Sequence, residues 1–401
     1  MKSVFLAAVA AILTSSTALA ADISIKIGVL TDRSSTFSDM AGDGSVIAAR
    51  LALEDYNASA KGMKVEIISG DHQNKPDVGS SIARQWFDRD GVDVIVDVPT
   101  SSVALAISHI ARDKNKAFLA SGAAIQDLTG KQCSPNTIHW VYDTWALANG
   151  SASEIVKRGG DSWFFLAADY TFGHMLEQET SVVVKKSGGN VIGSVRHPFI
   201  NADFSSFLVQ AKSSGAKVVG LANSGADAVN TVKQAYEFGI PQSGQSLAAL
   251  LLMITDVHAL GPEVAQGLLL TGAFYWDMNE GTRAFAKRFA AQNGGKMPTQ
   301  IHAGVYSSII HYLKAVEQLK EKDDGARVVA KMKELETDDP LFGKGTIRPD
   351  GRKLHPLYLF EVKKPGDTKN DWDLYNVLST IPADKAFRPA NPDECPLVAR
   401  S

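Results

Sequence analysis

The chain has 401 residues, of which 45% are hydrophobic and 21% are charged, and its formal net charge is −3. This length exceeds one ordinary hydrophobic core and predicts two domains. Lysine and arginine are scattered rather than clustered, which argues against a nucleic-acid partner.

The first residues, 1–20, predict a secretory signal peptide. Lys2 precedes an apolar run from Val4 to Leu13, and Ala18-Leu19-Ala20 has the small-x-small pattern of a cleavage site. We therefore expect cleavage after Ala20 and export to the periplasm. The apolar run is shorter than the roughly 18 residues that a membrane helix needs, and no later segment reaches that length, so we expect no membrane-spanning segment.

Alternating strand and helix patterns follow the predicted signal peptide. Strands are predicted at 23–30, 63–69, 92–98 and 116–121, and helices at 44–57, 78–88 and from Ser101 or Ser102 onward. A second series has strands at 162–167, 190–195, 217–222 and 268–275, with helices at 173–187, 204–214 and 226–238. This order predicts an α/β fold with two doubly wound, parallel-sheet lobes.

The remaining chain is predicted to be helical and then strand-like. Helices are expected at 281–293, 299–321 and 326–335, and strand-like pieces at 345–348 and 357–362, joined by a turn at 349–352. The tail after Pro382 is rich in proline, and we expect it to be irregular.

The segment from Val94 to Ile110 reads as a strand, a short turn at Pro99 and a helix that begins with two serines. At the carboxyl end of a parallel strand, such a turn offers free N–H groups, a helix dipole and the hydroxyls of Ser101 and Ser102 to an anion such as a carboxylate. Alternatively, both serines are only N-caps. The second series repeats this turn, with Asn223 and Ser224 in the corresponding place, and we expect the two turns to face one cleft.

Two cysteines, Cys133 and Cys395, are far from any histidine or second cysteine at metal-ligand spacing. In an exported protein such a pair predicts a disulfide and no metal site. The sequence also has no G-x-x-x-x-G-K-[ST], H-E-x-x-H or G-x-S-x-G motif, so we expect neither cofactor nor catalysis, although a triad can assemble in space without a local motif.

Several aromatic residues stand at the ends of predicted segments, where a cleft between the lobes is expected. The candidates for ligand contact are Tyr142, Trp145, Phe172 and Tyr275. The alternative for each of them is packing in the core or at its rim.

Segments spread along nearly all of the mature chain resemble the periplasmic branched-chain amino acid binding proteins of ABC transporters. They are the signal peptide, Ile27-Gly-Val-Leu30, Leu53-Glu-Asp-Tyr-Asn57, Asp71, Gly91-Val-Asp-Val-Ile-Val96, Ser101, Asp127-Leu-Thr129, Tyr170-Thr-Phe-Gly173 and Phe204. The resemblance implies two lobes joined by three crossings, with 21–142 plus 276–351 in the N-terminal lobe and 143–275 plus 352–401 in the C-terminal lobe. It also implies a ligand gripped in a closing cleft and delivered to a membrane permease.

The resemblance carries over only some of the family's binding residues. Ser101 matches the serine that holds the ligand carboxylate, Gly122 with Ala123 matches the backbone position, and Phe172 matches a second-lobe tyrosine. The family's threonine falls on Ala124, and two of its tyrosines fall on Ala41 and near Ser224. The acid that pairs with the ligand ammonium should lie in 247–254, where there is none.

A buried ammonium without a carboxylate partner would be costly, so these departures disfavour an α-amino acid. We therefore expect a solute-binding protein of an ABC importer that takes a small carboxylate, with an aromatic acid favoured, and acts as a monomer with a membrane permease. The alternatives are a soluble receptor that senses small amides or aliphatic carboxylates, and binding of branched-chain amino acids.

Overall fold

A computed structural model describes residues 23–400, so the predicted signal peptide and its cleavage site lie outside the described residues. Within them the chain forms two all-parallel sheets and two smaller antiparallel sheets. This confirms the predicted α/β fold with parallel-sheet lobes. No helix among residues 23–400 combines the length and the hydropathy needed to cross a membrane.

The first parallel sheet has five strands in the order β2-β1-β3-β4-β5. They are β1 (Ile23–Thr31), β2 (Met63–Asp71), β3 (Val94–Asp97), β4 (Ala117–Ala120) and β5 (Thr137–His139). The helices between them are α1 (Gly42–Tyr56), α2 (Pro76–Gln85) and α3 (Ser101–Asp113). Strand β3 is buried at every position because both faces of the sheet are covered, as expected for a parallel sheet.

The chain then enters the second parallel sheet, whose strand order is β7-β6-β8-β9. The helix α4 (Thr144–Lys157) leads into β6 (Ser162–Ala168), α5 (Thr171–Lys186), β7 (Asn190–His197), α6 (Ser205–Ser213), β8 (Val218–Ala222), α7 (Ala226–Glu237) and β9 (Ser246–Ala249). In both sheets the first strand of the series is central and the order reverses beside it, so the carboxyl ends of the strands form a crevice.

The last third of the chain is mixed. It contains α8 (Ile254–Leu260), α9 (Pro262–Ala265), β10 (Leu269–Gly272), α10 (Glu280–Gln292), α11 (Gln300–Leu319), α12 (Gly325–Glu334), β11 (Thr337–Asp339), β12 (Gly343–Ile347), β13 (Lys353–Leu354), β14 (Leu357–Val362), β15 (Tyr375–Ile381) and α13 (Ala383–Ala386). Helix α11 packs on α1 and β3 of the first sheet, whereas β14 contacts α4 and β10. With the predicted division into lobes, the chain would cross between them after β5, before α10 and after β13.

One expectation about strand pairing was wrong. The strand predicted at 268–275 is shorter, and it pairs antiparallel with β14 instead of extending the second parallel sheet. The strand-like pieces predicted at 345–348 and 357–362 belong to different sheets, because β12 pairs with β13 while β14 pairs with β10 and β15. The tail predicted to be irregular contains the short helix α13.

The disulfide between Cys133 and Cys395 is confirmed, with the two Cα atoms 5.8 Å apart. It ties the tail to the segment just before β5. The exact lobe boundaries stay a prediction.

Candidate functional site

The turn between β3 and α3, here called the corner, is the segment for which the sequence predicts an anion site. Helix α3 begins at Ser101, with Thr100 as the extended residue before it, and within the described chain its N-cap residue makes no side-chain capping hydrogen bond. The alternative that Ser101 and Ser102 serve as N-caps is therefore not what the structure shows. Ser101 is buried and Ser102 is half-buried, so the first turn of α3 keeps hydroxyl and N–H donors inside the molecule.

A buried network fixes the position of this helix start. The hydroxyl of Thr100 hydrogen-bonds the side-chain oxygen of Asn74, whose Nδ2 donates to Asp32 Oδ2 at 2.6 Å. Asp32 also accepts the N–H groups of Ser35 at 3.0 Å and Phe37 at 2.8 Å. One buried carboxylate thus holds together the loops that follow β1, β2 and β3.

Asp97 ends β3 directly below this corner, and it is fully buried. Neither of its carboxyl oxygens has a hydrogen-bond partner among the described residues, although the hydroxyls of Ser45 and Thr31 lie close enough to lower its pKa somewhat. Burial outweighs these hydroxyls and raises the pKa of Asp97 to about 7. The backbone is also strained, because Asp97 has φ 80° and the β-branched Val98 has φ 59°.

Gly122 follows β4 and faces Asp97 closely. A Cβ at Gly122 would lie 2.6 Å from Asp97 Oδ1, so only glycine fits here. Its backbone groups are already used: its N–H donates to Asp97 O at 3.3 Å, and its carbonyl accepts the Tyr142 hydroxyl at 2.8 Å. The carbonyls of Ala123 and Ala124 accept from His139 Nε2 at 2.7 Å and from the Thr144 N–H at 2.8 Å.

The second sheet contributes aromatic rings to the opposite side. Tyr170, just before α5, stacks on Phe199 with ring centroids 4.1 Å apart, and Phe172 lies 5.9 Å from Tyr170. Phe37, from the loop after β1, lies 5.9 Å from Phe199, so this group joins both lobes. Burial raises the pKa of Tyr170, and the nearby Ser224 side chain partly offsets this effect.

The turn after β8 contacts the loop after β1. The N–H of Ala226 is 3.1 Å from the Thr36 hydroxyl and 3.3 Å from the Thr36 carbonyl. Gly225 has φ 61°, and a Cβ there would lie 2.6 Å from Thr36 O. Asn223 faces inward, where its Nδ2 donates to Thr231 Oγ1 at 3.0 Å.

Three predicted residues lie outside this group. Trp145, on α4, lines a separate cavity of about 780 Å³ between α5 and the tail, with Lys186 5.6 Å above its ring. Tyr275 packs against Phe360 and Tyr375 at the antiparallel sheet, and its hydroxyl bonds Trp372 O at 3.3 Å. Ala41 is buried at the start of α1, where its carbonyl is 2.8 Å from His302 Nε2.

Sequence reasoning singled out neither Asp97 nor a second buried acid, Asp256. Asp256 lies just beyond the acid-free segment 247–254, in the first turn of α8, and Met253 N–H donates to its Oδ2 at 2.8 Å. Burial raises its pKa to about 7. Burial raises the pKa of Tyr142, and the charges of Asp97 and Asp256 raise it further, which places the phenol under the influence of both carboxyl groups. The absence of an acid from 247–254 therefore does not make this side of the site apolar.

The family model described as periplasmic binding protein matches residues 24–369. The chain belongs to this periplasmic binding protein family. A Leu/Ile/Val-binding protein homolog from Brucella melitensis is 25% identical over 376 residues, which cover 92% of this chain and 94% of the relative. The cleft of this chain is therefore best compared with the clefts of other members of this family.

Solved structures agree with this assignment. A periplasmic binding protein from Burkholderia mallei is 47% identical, with a TM-score of 0.88, over 91% of this chain and 96% of that one. A branched chain amino acid ABC transporter periplasmic ligand-binding protein from Burkholderia xenovorans is 42% identical, with a TM-score of 0.81, over 91% and 97%.

More distant members of the family share the fold alone. A solute binding protein from Rhodopseudomonas palustris in complex with 4-hydroxybenzoate has a TM-score of 0.80 at 21% identity, over 90% of this chain and 97% of that one. Another, in complex with benzoate, has a TM-score of 0.79 at 17% identity, over 90% and 98%.

Proposed function

We propose that this chain is the solute-binding component of an ABC importer, and that it grips a small carboxylate, preferably an aromatic one, between its two lobes. The observation that carries this proposal is the uncapped start of α3, where the buried Ser101 sits on a rigid network at the carboxyl edge of the first sheet. Uncapped N–H groups, a helix dipole and a hydroxyl favour an anion. The proposal implies a permease as partner and no catalysis.

The rings on the opposite side support an aromatic body for the solute. Tyr170, Phe172 and Phe199 form one group beside the contact between the lobes, and Phe37 extends it from the first lobe. Rings of this kind favour an offset or edge-on aromatic partner. The benzoate and 4-hydroxybenzoate complexes of distant relatives show that this fold can enclose such acids.

An α-amino acid is the second candidate, and Asp256 is the observation that favours it. A buried carboxyl in the first turn of α8 could receive the ammonium of leucine, isoleucine or valine. One oxygen of Asp256 is already held by Met253 N–H at 2.8 Å, which leaves the other oxygen for this role. The named Leu/Ile/Val-binding homologs agree with this candidate at the level of the family.

Isothermal calorimetry with leucine, benzoate and 4-hydroxybenzoate separates the two candidates. We expect the ring acids to bind more tightly than leucine. In Ser101→Ala the loss of a hydroxyl that bonds a charged group should weaken the ring acids by about ten- to a hundredfold, or roughly 1.5–3 kcal/mol.

Ser108→Ala is the matched control on the same helix. Ser108 is also buried, but its hydroxyl is 2.8 Å from Thr137 Oγ1 and remote from the helix start. This variant should lose stability and keep its affinity. Tightest binding of leucine, or unchanged affinity for ring acids in Ser101→Ala, would contradict the proposed specificity.

A further inference from the structure

We propose that Asp97 enters the solute complex as a neutral carboxylic acid and donates a hydrogen bond to the solute carboxylate, so that protein and solute share one proton. This inference rests on the proposed function, because it needs a carboxylate at the corner formed by Ser101 and Gly122. It identifies Asp97 as a residue that determines specificity, in addition to Ser101.

The first support is that the Asp97 carboxyl group makes no hydrogen bond of good geometry. It is 0% exposed, and within the described part of the chain the hydroxyls of Ser45 and Thr31 lie near it without being aligned on either oxygen. A buried ionised carboxyl with neither well-aligned donors nor a cation is destabilising, so a partner or a proton is expected there. By contrast, Asp32 accepts hydrogen bonds on both of its oxygens.

The second support is backbone strain at the same turn. Consecutive positive φ angles at Asp97 and Val98, 80° and 59°, are unusual outside glycine, and valine rarely adopts them. Strain of this kind persists where the surroundings enforce it, and it concentrates at ligand sites. A Cβ at Gly122 would lie 2.6 Å from Asp97 Oδ1 and 2.7 Å from Pro99 Cα, so the strained carboxyl group lies close to the turns that follow β3 and β4.

Among residues 23–400, the groups that face Asp97 supply no positive charge. They are the hydroxyl of Thr31 at the end of β1, the carboxyl group of Asp32 just after it, the hydroxyl of Ser45 on α1 and the phenol of Tyr142 after β5; on the β4 side Gly122 has no side chain. An incoming carboxylate would therefore meet a second carboxyl group and no cation. Two carboxyl groups in contact are stable when they share one proton.

The direction of the pH dependence follows. Burial holds the pKa of Asp97 near 7 before the solute binds, so the donor form is present below that pH and is lost above it. Affinity for a carboxylate should be constant below about pH 6 and should fall about tenfold per pH unit above the pKa. Binding above pH 7 should take up one proton per solute.

The test is calorimetry with 4-hydroxybenzoate from pH 5.5 to 8.5, in buffers of different ionisation enthalpy. Asp97→Asn keeps a hydrogen-bond donor of similar shape but cannot ionise. We expect this variant to show no pH dependence and no proton uptake, and to bind more tightly than the wild type at pH 8.5. Benzamide, which presents N–H donors instead of a carboxylate, should show the opposite pH trend in the wild type.

Asp256→Asn controls for the other buried acid, and it should leave the pH dependence intact. A wild-type affinity that does not change with pH, or weaker binding by folded Asp97→Asn at every pH, would overturn this inference and leave the proposed function standing. Loss of the pH dependence in Asp256→Asn, but not in Asp97→Asn, would also overturn this inference. Absence of 4-hydroxybenzoate binding by all three proteins would overturn the proposed function, and this inference with it.

Discussion

Each parallel sheet holds a buried aspartate at its carboxyl edge, but the two carboxyl groups have different surroundings. Asp227, on α7 of the second lobe, accepts the N–H of Ile200 at 3.0 Å and the N–H of Asn201 at 2.9 Å. Asp97, at the end of β3 in the first lobe, accepts no hydrogen bond from the described residues. Both are nearly inaccessible, so burial alone does not distinguish them.

The difference separates a structural carboxylate from a candidate ligand contact. Asp227 organises the loop after β7, which carries Phe199, and its charge is satisfied within its own lobe. The Asp97 carboxyl group makes no such hydrogen bonds among the described residues. Under the proposed function, the first lobe supplies the polar groups that hold the solute, and the second supplies most of the aromatic surface.

The largest effect is expected from removing the carboxylate that supports the first corner. In Asp32→Ala the donors of Ser35, Phe37 and Asn74 lose their acceptor, and the free energy of unfolding should fall by roughly 3–5 kcal/mol. Asp227→Ala frees only two N–H groups and should lose about 2 kcal/mol. Urea unfolding of both variants measures the two losses in free energy of unfolding. Equal losses would contradict the larger supporting role of Asp32.

The next effect concerns pH, and it isolates Asp97 without any solute. Its folded pKa of about 7 lies above the ordinary value of 3.8, so its contribution to stability is complete below about pH 4 and is lost as the pH rises through 7. Relative to Asp97→Asn, the wild type should lose roughly 2–3 kcal/mol between pH 5 and pH 8. If the free energy of unfolding of both proteins changed with pH in the same way, the pKa of Asp97 would not be raised by burial.

The smallest effect tests the contact between the lobes. A Cβ at Gly225 would clash with Thr36 O at 2.6 Å, so Gly225→Ala should hinder closure and weaken solute binding about tenfold, or roughly 1.4 kcal/mol. Gly215→Ala is matched, because Gly215 has φ 67° with nothing within 4 Å of its would-be Cβ. Small-angle scattering should show a smaller radius of gyration with solute for the wild type and for Gly215→Ala only. Full compaction of Gly225→Ala would contradict this role for the contact.

Most of the fold could be predicted from the sequence, because its strands are short apolar runs and its helices carry apolar stripes. The start of α3 at Ser101 and the disulfide followed from local pattern and cysteine number. Helix α4 was missed, although Asp143 caps it by accepting the Ala146 N–H at 2.8 Å. As a result Trp145 was assigned to the cleft, while the helix turns it toward the cavity beside the tail.

The candidate site was harder to predict, because its decisive features depend on distant pairs. That Asp97 is unpaired depends on the positions of α1, β1 and β4, which no local pattern encodes. The pairing of β14 with β10 and β15 likewise joins segments far apart in sequence, so Tyr275 was expected in the cleft but packs at that sheet. The acid near 247–254 escaped notice because Asp256 lies past the segment to which the resemblance pointed.

A crystal structure of the protein with 4-hydroxybenzoate, grown near pH 6, tests the central claim most directly. We predict a solute carboxylate with one oxygen within hydrogen-bond distance of the Ser101 hydroxyl and of Asp97, and a ring beside Tyr170 and Phe172. A solute bound instead in the cavity lined by Trp145, or one whose carboxylate lies at Asp256 and away from Ser101, would contradict the account.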